Sequence, residues 1–233
     1  MVRCAMRHLA CIMDGNRRYA QAHGWKPWIG HQKGVDTVRT VLEFCLTEKI
    51  PYLSLYTFSL ENFKRSEVEK NFLFDLIGLM AKKHLAELIE KDIKVKFIGN
   101  RDLFPEHVIP VLDDVELQTV NCSSLQVNFL FCYGSQQEIV SAAKEIARKV
   151  KDGLLHENEI NEALFVQHMW TAGTPAPELV IRSGGSRRIS NFLLFQSAYS
   201  EYYFTDQYWP ALTLNDFKKA FEFFNASKRN FGA

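Results

Sequence analysis

The chain has 233 residues, 47% of them hydrophobic and 24% charged, a balance that suits one large globular domain over residues 1–233 and excludes disorder. Its formal net charge of +1 gives no whole-molecule field toward nucleic acid or an anionic membrane, so any anion site has to be a local cluster. Five scattered cysteines (Cys4, Cys11, Cys45, Cys122, Cys132) without a C-x-x-C pair speak against a disulfide framework or thiolate zinc site and for a reducing cytoplasm, and neither a membrane-spanning run nor an apolar signal stretch in Met1 to His8 is present.

In chain order, the pattern predicts a strand at His8–Met13, a helix at His31–Glu48, a strand at Tyr52–Phe58, a helix at Glu67–Lys91 and a strand at Ile93–Gly99. A helix at Pro105–Asn121, a strand at Leu125–Phe131, helices at Ser135–Lys151 and Glu157–Met169, strands at Glu178–Ile181 and Glu201–Thr205, and a helix at Leu214–Ser227 follow. Thr171–Pro177, with Gly173, Pro175 and Pro177, reads as a loop. The alternation implies an α/β fold with a central six-stranded, mostly parallel sheet flanked by helices. In such sheets ligands bind beyond the carboxyl ends of the strands, which directs attention to the segments after Met13, Phe58 and Ile181.

The first of these reads Met13-Asp14-Gly15-Asn16-Arg17-Arg18-Tyr19. Gly15 lets a backbone come close to a ligand, a helix start offers N–H groups, and Arg18 adds a charged fork, a combination suited to a diphosphate. A bare Asp14 carboxylate would repel that anion unless a magnesium ion lay between them; the other reading is that Asp14 only caps the helix. After the fifth strand, Arg182-Ser183-Gly184-Gly185-Ser186-Arg187-Arg188-Ile189-Ser190-Asn191 sets arginines and serines around a glycine pair. Such a loop can wrap an anion, with inward backbone N–H groups at Gly184-Gly185, or it can be a basic turn. The segment Phe58-Ser59-Leu60-Glu61-Asn62-Phe63-Lys64-Arg65 mixes hydroxyl, amide, carboxylate and guanidinium groups, while His31 and Glu201 stand alone. Nucleotide-loop, zincin and serine-hydrolase motifs are absent, and Asp113-Asp114 read as a solvated helix face. The run Asn71 to Met80 is apolar around nearly its whole circumference, which fits either core or the wall of an apolar tunnel.

Together, His8 to Arg18, Gly30-His31-Gln32-Lys33-Gly34, Leu55 to Arg65, Arg182 to Leu194 and Glu201-Tyr202-Tyr203-Phe204 with Trp209-Pro210 resemble, in order, the motifs of the cis-prenyltransferases. The resemblance covers nearly the whole chain. It implies a magnesium-dependent transferase that adds isopentenyl diphosphate to an allylic diphosphate, farnesyl diphosphate, and makes a long polyprenyl diphosphate, undecaprenyl diphosphate for a cell-wall lipid carrier. It also implies a homodimer with a hydrophobic tunnel, no nucleic acid partner and at most peripheral membrane contact.

By the same resemblance Asp14 is catalytic and, with Glu201, handles the metal. Gly15, Asn16, Arg17, Arg18, Lys26 and His31 attend the allylic diphosphate. Ser59, Asn62, Phe63 and Arg65 position the isopentenyl unit, Asn62 with a part in proton removal, and Arg182, Arg188 and Ser190 hold its diphosphate. Departures from the family pattern are Arg17 for glycine, Tyr19 and Phe63 for tryptophan, Ser66 for proline, and Pro27 where an arginine is common. Pro27 cannot donate to an anion, leaving Lys26 or Arg17 as substitutes. Ser186-Arg187 replace an acidic-then-basic pair, and Lys228 to Gly232 keep part of a basic tail. A non-catalytic polyprenyl-binding subunit of the same fold is the competing expectation.

Overall fold

The computed structural model describes residues 6–227, so Cys4 and the tail from Lys228 lie outside the described residues. Six strands, β1 (His8–Ile12), β2 (Tyr52–Ser59), β3 (Ile93–Ile98), β4 (Leu125–Tyr133), β5 (Leu179–Arg182) and β6 (Glu201–Phe204), form one sheet in the order β3-β4-β2-β1-β5-β6. Every pairing is parallel. Side chains alternate across the pleat. Leu9, Cys11, Leu53, Leu55, Val127, Leu179 and Ile181 enter the larger core on one face, whereas Ala10, Ile12, Tyr56, Leu130 and Val180 enter a smaller core on the other. Both faces are therefore covered, which is why the strands read as nearly unbroken apolar runs.

Helices α1 (Asn16–Ala22), α2 (Pro27–Glu48), α3 (Glu67–Glu90), α4 (Ile109–Gln118), α5 (Ser135–Lys151), α6 (Glu162–Gln167) and α7 (Leu214–Ala226) complete the fold. Four of them differ from the sequence-based expectation: α4 is shorter than the predicted Pro105–Asn121, and α1, α2 and α6 differ for identifiable reasons. The seven-residue α1 is too short to show a periodic pattern. Pro27 starts α2 four residues before His31, because its fixed φ and missing N–H suit the first helical position. The predicted helix Glu157–Met169 splits into a 3-10 turn, Glu157–Glu159, and α6, whose N-cap Asn161 accepts from Leu164 N–H.

On α3 only Phe74 and Leu88 are buried, and Leu79 is exposed. An ordinary core helix of such apolar sequence would bury more of itself; much of this one faces a cavity. α1 lies close against α2 because two glycines on α2 leave room: a Cβ on Gly30 would come within 1.9 Å of Asn16 O, and one on Gly34 within 2.5 Å of Asn16 Oδ1.

Candidate active site

The strand order reverses at β1, whose neighbours β2 and β5 connect to opposite sides of the sheet. The carboxyl ends of these three strands deliver Asp14, Ser59 and Arg182 to one crevice, as expected at a switch point. The Asp14 backbone is fixed from both sides. Its N–H donates to Ser183 Oγ at 3.0 Å, the Ser183 hydroxyl donates to its carbonyl at 2.7 Å, and that carbonyl also accepts the Trp209 N–H. Buried Trp209 in turn donates from its indole N–H to Gly34 O at 2.9 Å, which locks β1 to α2.

The Asp14 carboxylate accepts from Arg182 Nη2 at 2.9 Å and from Arg18 Nη2 at 3.1 Å. It does not cap α1: the N-cap is Gly15, at φ 102°, and no side chain caps that helix. A side chain at Gly15 would collide with the Tyr208 ring, so glycine is required by both the backbone angle and the contact. Arg182 is almost wholly buried. Its Nη1 donates to Ser190 Oγ at 2.7 Å and to the Arg188 carbonyl, and its Nε has no partner within the protein. Asn16 Oδ1 and His31 Nε2 are likewise buried without a partner. Arg182 and His31, each with an orphaned nitrogen, line one crevice and suit a ligand that accepts hydrogen bonds, whereas Asn16 Oδ1 packs against Gly34 of α2.

Ser190, Asn191 and Leu193 adopt positive φ (49°, 62° and 46°), a strained run held by outside contacts. Tyr56 Oη donates toward Ser190 O, and Asn191 Oδ1 accepts from Gln136 N–H at the start of α5. Asn191 Nδ2 donates to Glu61 Oε1 and Gln137 Oε1, both at 3.0 Å. Across the mouth, Ser59 and Asn62 form a capping box on the 3-10 turn Leu60–Lys64, with Asn62 Oδ1 accepting from Ser59 N–H. Glu69 holds Arg65 at 2.9 Å and reaches Arg17 at 3.7 Å.

One cavity of about 700 Å³ joins these groups to the interior. Asp14, Asn16, His31, Ser59, Asn62, Arg65, Arg182, Arg188 and Ser190 line its mouth; Val38, Leu42, Leu73, Leu76, Ile77, Met80, Ala81, Leu88, Phe129 and Phe131 line its depth.

Other predicted residues lie elsewhere. Gly15, Arg17 and Arg18 support the mouth from α1 without lining it, Arg18 through the Asp14 carboxylate and Arg17 through Glu69. Lys26 is exposed, its ammonium 5.1 Å from the Trp28 ring, and Phe63 packs edge-on against Phe58 with Lys70 over its face, so neither borders the cavity. Glu201 pairs in register with Leu179 at the amino end of β6, whereas Arg182 pairs with Phe204 at the carboxyl end. Within one chain Glu201 is therefore not brought to Asp14, since parallel strands carry it about 10 Å away at ~3.3 Å per residue. The Gly184 and Gly185 N–H groups do not form an inward nest, because they donate to Gln207 O and Thr205 O.

Burial, reinforced by the Arg65 and Arg17 guanidiniums, pulls the His31 imidazole down to about 4. A histidine depressed in the fold contributes full stability above its ordinary value near 6.5 and loses it as pH falls toward 4. His31→Gln is therefore expected to lose less stability than wild type as pH falls from about 7 to about 4, by on the order of 3 kcal/mol at most. His8, held down to about 4 chiefly by burial, leaves an acid loss common to both proteins. Parallel acid limbs in the two melting curves would mean that His31 takes its proton inside the fold.

An arginine-rich anion site that opens on an apolar cavity at a parallel-sheet switch point defines an α/β enzyme for diphosphates with apolar tails. Residues 12–232 match the family model described as "Putative undecaprenyl diphosphate synthase", and the chain belongs to that cis-prenyltransferase family. It is 41% identical over 97% of its length to ditrans,polycis-undecaprenyl-diphosphate synthase ((2E,6E)-farnesyl-diphosphate specific) of Legionella pneumophila (strain Paris), covering 95% of that protein. With the tritrans,polycis-undecaprenyl-diphosphate synthase (geranylgeranyl-diphosphate specific) of Thermoplasma acidophilum it shares 40% identity over 97% of its own length and 88% of the relative's.

Among solved structures, lavandulyl diphosphate synthase from Lavandula x intermedia in complex with dimethylallyl diphosphate superposes with a TM-score of 0.95 at 31% identity, over 98% of this chain and 99% of that one. A probable undecaprenyl diphosphate synthase from Campylobacter jejuni gives 0.81 at 33% identity with the same coverage. These relatives are synthases by name, which favours the catalytic reading over a non-catalytic subunit.

Proposed function

We propose that the chain condenses isopentenyl diphosphate units onto farnesyl diphosphate and releases a long polyprenyl diphosphate of the undecaprenyl class, for a cell-wall lipid carrier. The observation that carries this reading is the continuity of the polar mouth with the apolar cavity. A diphosphate bound at the mouth can lay a hydrocarbon tail along α3, where each buried CH₂ contributes about 0.8 kcal/mol. Arg182, Arg188 and Ser190 hold one diphosphate; Asn16, His31 and the start of α1 face the other, with Arg18 and Arg17 beside them. Such fixed donors stabilise charge as it develops on the leaving group.

The donor set suits magnesium: Asp14 is a single, partly exposed carboxylate beside anion-binding groups. Magnesium characteristically uses one or two carboxylates, substrate phosphates and water. When bound, it would neutralise the diphosphates and act as a Lewis acid on the leaving group. The chain's residues hold the two substrates in line, so that the isopentenyl double bond forms the new C–C bond as the allylic C–O bond breaks. The isopentenyl unit then gives its proton to a diphosphate oxygen, beside Asn62 and Arg65; Asn62, with its Oδ1 bound to Ser59 N–H, positions rather than accepts.

A homodimer and a cytoplasmic location belong to the same reading; among the described residues no helix is long and apolar enough to cross a membrane. Farnesyl and labelled isopentenyl diphosphates, with and without magnesium, test it: label should enter long products only with the metal. In the same assay Leu73→Trp, which enlarges a cavity-lining side chain, is expected to shorten the product while sparing the first condensation. Failure of the wild-type protein to extend the primer would remove the proposed function.

A further inference from the structure

The cavity wall contributed by α3 changes character along its length. Leu73, Ile77 and Ala81 face the cavity at helical spacing; farther along the same face come His84, Glu87 and, just past the helix end, Lys91. From Leu73 to Lys91 the wall rises about 27 Å at ~1.5 Å per residue. Its far end is a charged hub. Glu87 Oε1 accepts from Lys91 Nζ at 2.9 Å and from Arg39 Nη2 of α2 at 3.2 Å, while Oε2 meets His84 Nδ1 at 3.1 Å. The Arg39, Glu87 and Lys91 side chains keep 50%, 30% and 34% of their exposure, so this end of an otherwise apolar cavity reaches water. The gap between α2 and α3 also opens on a second depression of about 250 Å³, bordered by Asp36 and Lys83, which shares Arg39, Met80 and His84 with the main cavity.

We propose that Glu87 determines product length: with Arg39 and Lys91 it latches the far end of the cavity between α2 and α3, and chain growth stops where the tail meets this hydrated latch. This assignment rests on the polyprenyl reading of the cavity. A hydrocarbon tip that advances along Leu73, Ile77 and Ala81 exchanges water for apolar wall at every step. At Glu87 the next step strips water from an ion-paired carboxylate and its cations, and hydrocarbon replaces none of those contacts. Growth past that point requires the latch to part and the tail to leave between α2 and α3, where the second depression lies.

The test is the ladder of labelled products, resolved by chain length, from wild type, Glu87→Ala and Glu87→Leu. Both variants are expected to move the most abundant product upward by at least one five-carbon unit, while the initial rate of isopentenyl incorporation stays within about twofold of wild type. A residue that merely ties α2 to α3 would change melting temperature and leave the ladder alone. Arg39→Met and Lys91→Met each remove one arm with Glu87 in place, and each is expected to give a smaller upward shift; they decide the matter if the Glu87 variants do not fold. An unchanged or shortened ladder in the folded variants overturns the proposal. A wild-type protein that elongates nothing overturns the cavity reading itself, and the latch with it.

Discussion

Asp14→Ala is expected to lower turnover by on the order of 10² or more without raising the KM for either diphosphate. The carboxylate bridges Arg182 at 2.9 Å and Arg18 at 3.1 Å, so it competes with diphosphate for those guanidiniums. Its removal leaves the arginines available to a ground-state anion and takes away the group that suits magnesium. A kcat loss with level or lower KM is the resulting signature. The melting temperature should fall, because buried Arg182 loses its counter-charge, and should recover when diphosphate is added. Near wild-type, magnesium-dependent turnover by the folded variant would remove Asp14 from the chemistry.

Much of this site was legible in the sequence because strand ends are legible: Asp14, Ser59 and Arg182 each close an apolar run, and parallel pairing brings such ends to one edge. The capping reading of Asp14 failed on a detail no string displays, namely that Gly15 at positive φ occupies the cap position. Three residues read by motif membership lie away from the cavity mouth. Phe63 and Lys26 lie near cavity residues in sequence, yet local geometry turns one into the aromatic core and the other onto Trp28. Glu201 opens a strand rather than closing one, and parallel register then separates it from Asp14. Asn191 carried no local signal, since its partners Gln136, Gln137 and Glu61 lie 55, 54 and 130 positions away. The apolar circumference of α3 had two explanations and serves both: Phe74 and Leu88 enter the core, while Leu73, Ile77 and Ala81 line the cavity.

Arg182→Met is expected to weaken apparent affinity for isopentenyl diphosphate by about 10²-fold, in line with the 2–5 kcal/mol that truncating one partner of a buried charge pair costs. Methionine preserves much of the stem's packing and removes the fork that now engages Asp14, Ser190 and the Arg188 carbonyl. The Ser190 loop, at positive φ, loses the donor that reaches its hydroxyl, so a smaller loss of kcat should accompany the rise in KM. Arg182→Lys keeps charge without the planar fork and should fall between the two. Steady-state kinetics with isopentenyl diphosphate varied at saturating primer distinguish the cases; an unchanged KM in Arg182→Met would leave Arg182 a purely architectural residue.

The pairing of β1 with β5 bears on how the chain reaches this state. Asp14 and Arg182, whose side chains meet at 2.9 Å, are separated by 168 positions. Loop closure over such a separation comes late in the search for the native state, and parallel pairings of this range belong to slow-folding topologies. During synthesis β1 can pair with β2 as soon as both have left the ribosome, but its other edge stays open until Leu179–Arg182 emerge. That open edge is a template for the wrong strand. Nascent chains of this protein accordingly spend most of their synthesis without an anion-binding crevice, and chaperone demand should concentrate on the interval before β5 arrives.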